Sequence, residues 1–203
     1  MAIASVTDLT SLHAIVISDR PMFRKTFSKL LTVLEPAIQI EELSDGLTEK
    51  TTLPAAESGL VVLDAGGMDQ NRVEDTVLFA LELQPAAHVV LVLDEQDDAL
   101  AEVAMCAGAL GVMIKAAPPT VLIDMLQRAL KGERFRPAPV ISVDREALPE
   151  EMRRQLSARQ QKLLRLMVGG QSISMTATEL GLTPAKVVSE MRVVLGIVRG
   201  RSF

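Results

Sequence analysis

The sequence predicts an α/β fold, a doubly wound five-stranded parallel sheet, followed by a small all-α unit. Three observations carry this reading. GLVVLDAGG (Gly59 to Gly67), HAIVISD (His13 to Asp19) and HVVLVLD (His88 to Asp94) are continuous apolar runs that each contain a terminal aspartate. Runs this short and this apolar fit strands covered on both faces, which places them inside a parallel sheet. Segments of helical period separate the runs, and beyond about residue 143 only helical patterns remain. The carboxyl edge of an open α/β sheet is where ligands bind. Asp19, Asp64 and Asp94 are all aimed at that rim.

In chain order, residues 1–12 are a polar lead, and the strand from His13 is followed by Arg20, Pro21 and a helix burying Phe23, Phe27, Leu30, Leu31 and Leu34. A second strand, Ala37 to Leu43, ends in the turn signal Ser44-Asp45-Gly46. Leu47 to Ser58 is short for a full helix. After Asp64 and the Gly66-Gly67 loop, Val73 to Leu83 reads as helix. The strand at 88–93 leads through an acidic loop to a helix from about Asp98 to Ala107, and Gly111 to Lys115 is a short fifth strand. Pro118 and Pro119 open a helix that carries Leu122, Ile123, Leu126, Ala129 and Leu130 on one face and stops at Gly132. Phe135 to Val143, with Pro137 and Pro139, reads as an extended linker.

The last unit is helical: Leu156 to Val168, Ser172 to Leu180, and Pro184 to Val198. Gly181-Leu182-Thr183 joins the last two, the form of a helix-turn-helix. In the final helix Val187, Met191, Val194, Leu195 and Val198 form the inward side. Ala185, Ser189, Arg192, Val193 and Gly196 are left to meet a partner. Charge divides the same way. Residues 151–203 carry nine basic residues against three acidic ones, a net of +6, within a total of −5. An acidic globular half followed by a basic helical one suggests regulation joined to nucleic-acid binding.

Composition excludes several classes. With 48 % hydrophobic and 23 % charged residues the chain folds, and five Phe without Trp or Tyr leave an aliphatic core with Met as gap filler. One cysteine, Cys106, excludes an internal disulfide and a cysteine-based zinc cluster. His13 and His88 open strands and read as structural. No run of about 18 apolar residues occurs and no leader pattern precedes the first strand, so a cytoplasmic protein without membrane contact is expected. No nucleophile–base pair or phosphate-cradling glycine loop is evident, which argues against an enzyme.

On VISDRPMFRKTFSKLL, VVLDAGG, AGALGVMIKAAPP and LQRALKGE, then LSARQQKLLRLMVGGQS and ATELGLTPAKV, the chain resembles a two-component response regulator of the NarL/FixJ type. That family joins a flavodoxin- and CheY-like receiver to a LuxR-type helix-turn-helix. The resemblance implies a receiver-like domain over 11–133, a linker over 134–148 and a DNA-binding domain over 149–203. It implies Asp64 as phosphoacceptor, Lys115 as the phosphoryl-pairing lysine, and Asp19 with Asp64 as ligands of a weakly held or absent Mg²⁺. Carboxylates at adjacent strand ends gather a hard cation, and a lysine neutralises the added charge of about −2 on phosphorylation.

The chain departs from that pattern in ways that predict an atypical receiver. The acid pair before the first loop is Ser18-Asp19. No Ser or Thr lies between Thr76 and Thr120, so the switch hydroxyl after the fourth strand is replaced by Leu93 or Asp94, and the switch aromatic is Val112. This reading requires that no hydroxyl reach Asp64. In the recognition helix, Val188 and Glu190 stand where the family carries a lysine and a histidine, and Thr176 stands at an aliphatic site. Lys186, Ser189, Arg192, Arg199 and Arg201 are the expected DNA contacts.

The expected function is a DNA-binding transcriptional regulator with a degenerate receiver, acting on double-stranded DNA as a homodimer, with a sensor kinase or partner regulator upstream. Pairing is expected through the helix at 98–107, the strand at 111–115 and the helix after Pro119. The alternative is an interaction adaptor that binds a kinase or transcription factor and does not read DNA specifically.

Overall fold

The computed structural model describes residues 12–47, 59–136, 154–169 and 171–198. The expected helical interval before the third strand, and most of the 134–148 linker, lie outside these residues. Five parallel strands, β1 (His13–Ile17), β2 (Gln39–Leu43), β3 (Leu60–Asp64), β4 (His88–Leu93) and β5 (Gly111–Ile114), form one sheet in the order β2-β1-β3-β4-β5. This is the doubly wound arrangement whose switch point lies between β1 and β3. All three apolar runs occupy its centre, and Val16, Val62, Val89, Val90 and Val92 have no exposed surface.

Helices α1 (Pro21–Leu34), α2 (Gln70–Leu83), α3 (Asp98–Ala107) and α4 (Pro119–Leu130) belong to the sheet domain; α5 (Ala158–Val168), α6 (Ile173–Leu180) and α7 (Pro184–Val198) follow. Their starts are written locally. Pro21 and Pro119 take first-turn positions, where a missing N–H costs nothing. Asp69 and Asp97 cap α2 and α3 by accepting from Arg72 N and Leu100 N. Ser157 and Gln160 form a reciprocal capping box on α5.

The sheet has a core on each face. Phe23, Phe27 and Leu31 of α1 and Leu122 and Leu126 of α4 cover one face, together with Phe135. On the other face Val73, Val77 and Leu81 of α2 and Ala104 of α3 join the same cluster as Leu163, Met167, Ile173, Val188 and Met191. The C-terminal helices are thus packed against the sheet domain. At Gly108, which ends α3 with φ +112°, an added Cβ would lie 2.9 Å from both Ile173 Cδ1 and Leu81 Cδ1.

Two expectations change. The extended segment does not begin as a loose linker at Phe135, because that residue is 4 % exposed and its N–H donates to Leu110 O beside β5. The pairing face is not wholly open either, since α3, one of its three elements, is covered by α5 and α7.

Candidate functional site

Parallel strands deliver their carboxyl ends to one rim, and register sets the rest. Asp64 ends β3 opposite Val92, Asp94 directly follows β4, and Lys115 follows β5 with its N–H on Leu93 O. Asp64 has a side chain only 4 % exposed. Its Oδ1 accepts from Lys115 Nζ at 2.5 Å and from Gly66 N at 3.1 Å. Its Oδ2 accepts from Ser18 Oγ at 2.6 Å, with Arg20 Nε 3.9 Å away.

A second carboxylate closes the ring. Asp94 Oδ1 accepts from both Lys115 Nζ at 2.5 Å and Arg20 Nη1 at 3.0 Å. Two acids and two bases therefore form one neutral network over the rim. The Arg20 hydrogen bond, followed by that from Lys115, holds the Asp94 carboxyl below the ordinary range, and Asp94 in turn raises Arg20. Gly66 is needed for this closure, because a Cβ there would collide with Asp94 Oδ2 and lie 2.7 Å from Arg20 Nη2.

The expected set is brought together only in part. Asp64 and Lys115 meet. Of the two residues at the end of β4, Asp94 joins Lys115 and Arg20, whereas Leu93 is buried. Asp19 is exposed and lines the surrounding cleft without a hydrogen bond to Asp64 among the described residues. One expectation is corrected outright, because a hydroxyl does reach Asp64. It comes from Ser18 on the β1 side, and its oxygen also accepts from Arg20 N at 3.0 Å. The condition set for an atypical receiver is therefore not met as stated; what is left of it is the β4 side, where Asp94 and, among the described residues, no hydroxyl stands beside Lys115. Sequence inspection counted Ser18 only as a lost carboxylate.

Mg²⁺ takes near-octahedral oxygen ligands, and here Arg20 Nε and Lys115 Nζ share the rim with Asp64 while Asp19 lines the same cleft. Arg20 stands in front of Asp64, and the two carboxylates that face each other are joined by an ammonium. No cluster of three or more His, Cys, Asp or Glu suited to a metal occurs among the described residues.

The cleft around this rim, about 710 Å³, runs from Asp19 and Asp64 past Asp75 and Phe79 to Arg192 of α7. There Arg192 Nε pairs with Glu82 Oε1 of α2 at 2.8 Å. One turn earlier, at the position where the lysine was expected, Val188 is 1 % exposed. The row Val188–Arg192 thus faces the sheet domain. Gly196, expected outward, is buried, whereas Ala185, Lys186, Ser189 and Val193 are exposed. Lys186 is paired with Glu190 at 3.7 Å, and Lys162 with Glu179 at 3.3 Å. Arg199 and Arg201 lie outside the described residues. The docked row was missed because helical period alone does not say which neighbour an apolar side meets; the apolar Val188 on an outward position was the available signal.

No family model matches the chain. A glycerol metabolism activator of Pseudomonas putida is 22 % identical over 193 residues, covering 89 % of this chain and 86 % of that protein. Among solved structures, the RcsB response regulator of Salmonella typhimurium aligns with a TM-score of 0.53 at 18 % identity, covering 96 % of this chain and 95 % of that one. An RcsB–DNA complex aligns at 0.51 and 20 % identity, over 95 % and 94 %. The shared feature is the fold: the five-stranded receiver sheet of response regulators with helices following it. No helix among the described residues is long and apolar enough to cross a membrane.

Proposed function

We propose that the chain is a DNA-binding transcriptional regulator of the response-regulator type whose receiver works without a conventional phosphoryl switch. The observation that carries this is the closed network on Asp64. Both Asp64 oxygens accept from Ser18, Lys115 and Gly66 N, with Arg20 Nε 3.9 Å from Oδ2, so an incoming phosphoryl group has to compete with these donors. Asp94 adds negative charge where a transferred phosphoryl would need a hydroxyl donor. The reading assigns the chain no enzymatic activity and no Mg²⁺-dependent step.

In this reading α6 and α7, joined by a turn whose Gly181 has φ +64°, are a helix-turn-helix with Lys186 and Ser189 presented outward. Arg192 is masked by Glu82. Reading DNA then requires α7 to leave α2, and the agent that frees it is a partner protein or a change in dimer state. The test is binding to duplex DNA, including the region upstream of its own gene, at several salt concentrations. Binding that falls with salt, with one duplex preferred over random sequence, is expected. Binding no tighter than to random duplex, and insensitive to salt, rejects the reading.

The adaptor reading is favoured by one specific observation: of the three expected DNA contacts that are described, Lys186 and Arg192 are both in ion pairs with glutamates. Capture of a partner regulator without DNA, combined with no footprint even after undocking, would select it.

A further inference from the structure

A second cleft, about 310 Å³, lies between α3, α4 and α5, and three arginines line it. Arg128, Arg134 and Arg136 all line it, against a single exposed carboxylate, Glu102. Apolar surface comes from Met105 of α3 and Met167 of α5. We propose that this cleft binds a small organic anion, an apolar body carrying a carboxylate or phosphate head.

Arg134 is the reason. Its guanidinium is largely withdrawn from water yet has no carboxylate partner among the described residues. It donates from Nη2 to Met105 O at 2.6 Å, and from Nη1 to Gln171 O at 2.5 Å and Met167 O at 3.2 Å. These carbonyls end or follow α3 and α5, so helix dipoles supply only partial negative charge. Nε is buried without a partner. A guanidinium has five N–H donors; three are used and Nε is shut in, so one N–H of Nη2 is left for a ligand. Burying a cation without a matched anion costs several kcal/mol in general. Desolvation accordingly lowers the affinity of Arg134 for its proton. A carboxylate or phosphate oxygen is the acceptor that a charged N–H bonds most strongly.

The neighbours are placed to help. Arg128 is paired with Glu133 at 3.6 Å and lies over the Phe135 ring at 5.6 Å, and its Nη2 donates to Arg134 O at 2.8 Å, which holds the segment that carries Arg134; its charge is thus largely spent. Arg136 has no ion pair among the described residues. The volume sits at the small end of ligand pockets, roughly 300–1,000 Å³. Because Met105 belongs to the sheet domain and Met167 to the C-terminal helices, the cleft exists only while the two are packed. The anion therefore stabilises the docked arrangement, and by linkage anything that separates the domains weakens its binding.

The probes are hexanoate, hexyl phosphate and, as the cationic counterpart, hexylammonium, titrated into the full chain by calorimetry, with inorganic phosphate to test whether the apolar body matters. One site per chain is expected for at least one hexyl anion, with a raised melting temperature; which anion binds tighter identifies the head group. Arg136→Gln, half-buried at the cleft wall, should weaken binding tenfold or more while leaving the circular dichroism spectrum unchanged, and Arg134→Met should abolish it. Absence of binding by both hexyl anions, equal binding of hexylammonium, or unchanged affinity in Arg136→Gln overturns the proposal. None of these readouts requires DNA, so the site stands or falls apart from the DNA-binding reading.

Discussion

Reversing Glu82 to Arg isolates the contact that keeps α7 on α2. The Arg192–Glu82 pair is 2.8 Å long, with side chains 34 % and 40 % exposed. Pairs this open contribute about 0.2–1 kcal/mol, well below the unscreened Coulomb value. Reversal replaces that attraction by a comparable repulsion, so docking should weaken by about 0.4–2 kcal/mol, or roughly 2- to 30-fold. If DNA binds only the undocked form, apparent affinity rises by up to that factor while the docked form dominates. Any added positive charge also favours DNA, so Glu41→Arg on exposed β2 is the matched control. Fluorescence anisotropy on one labelled duplex, at low and high salt, compares the two. A gain confined to Glu82→Arg, shrinking with salt, is predicted. An equal gain in both variants, or none, refutes the idea that this contact masks α7.

Other outcomes follow from the same geometry. Arg20→Ala removes the guanidinium in front of Asp64, and labelling of Asp64 by a small phosphodonor should increase over wild type, read by intact mass. Thr176 is fully buried and, among the described residues, its hydroxyl meets only Met167 Sδ, at 3.5 Å, so Thr176→Val should stabilise by about 1 kcal/mol in urea denaturation. A Cβ at Gly111 would collide with the Phe135 ring, and Gly111→Ala should cost about 1–3 kcal/mol by the same assay. Burial lowers the pKa of His88 below 6.5, so the folded state binds the proton less readily than the unfolded chain. Its contribution is therefore complete above about pH 6.5 and is lost as pH falls toward the folded value; His88→Gln should flatten that part of the stability profile.

The centre of the sheet was legible because β1, β3 and β4 are apolar on both faces and lead into acids; β2, which reads QIEEL, and β5, which leads into Lys115, lack that pattern. Helix starts were legible at Pro21, Pro119 and Ser172, where local chemistry decides the boundary. The rim was legible only as a list of charges. Asp64, Asp94 and Lys115 could be assigned to it from strand ends, but the roles of Ser18 and Arg20 depend on side-chain direction after β1, which no spacing encodes. Long-range pairing was the least visible: Glu82 and Arg192 are 110 residues apart, and Arg134 joins carbonyls from two domains. Both looked like ordinary surface charges in the sequence. Phe135 was read as linker because the following prolines signal extension, while its burial beside Gly111 is a tertiary fact.

Phosphoryl transfer to Asp64 has to displace the donors from Ser18, Lys115 and Gly66 that now hold it. The direct measurement is incubation of the full chain with acetyl phosphate and Mg²⁺, followed by intact mass and DNA affinity on the same sample. The account predicts little or no phosphoryl addition and an unchanged affinity. Stoichiometric phosphorylation at Asp64 with a large gain in DNA binding would contradict it.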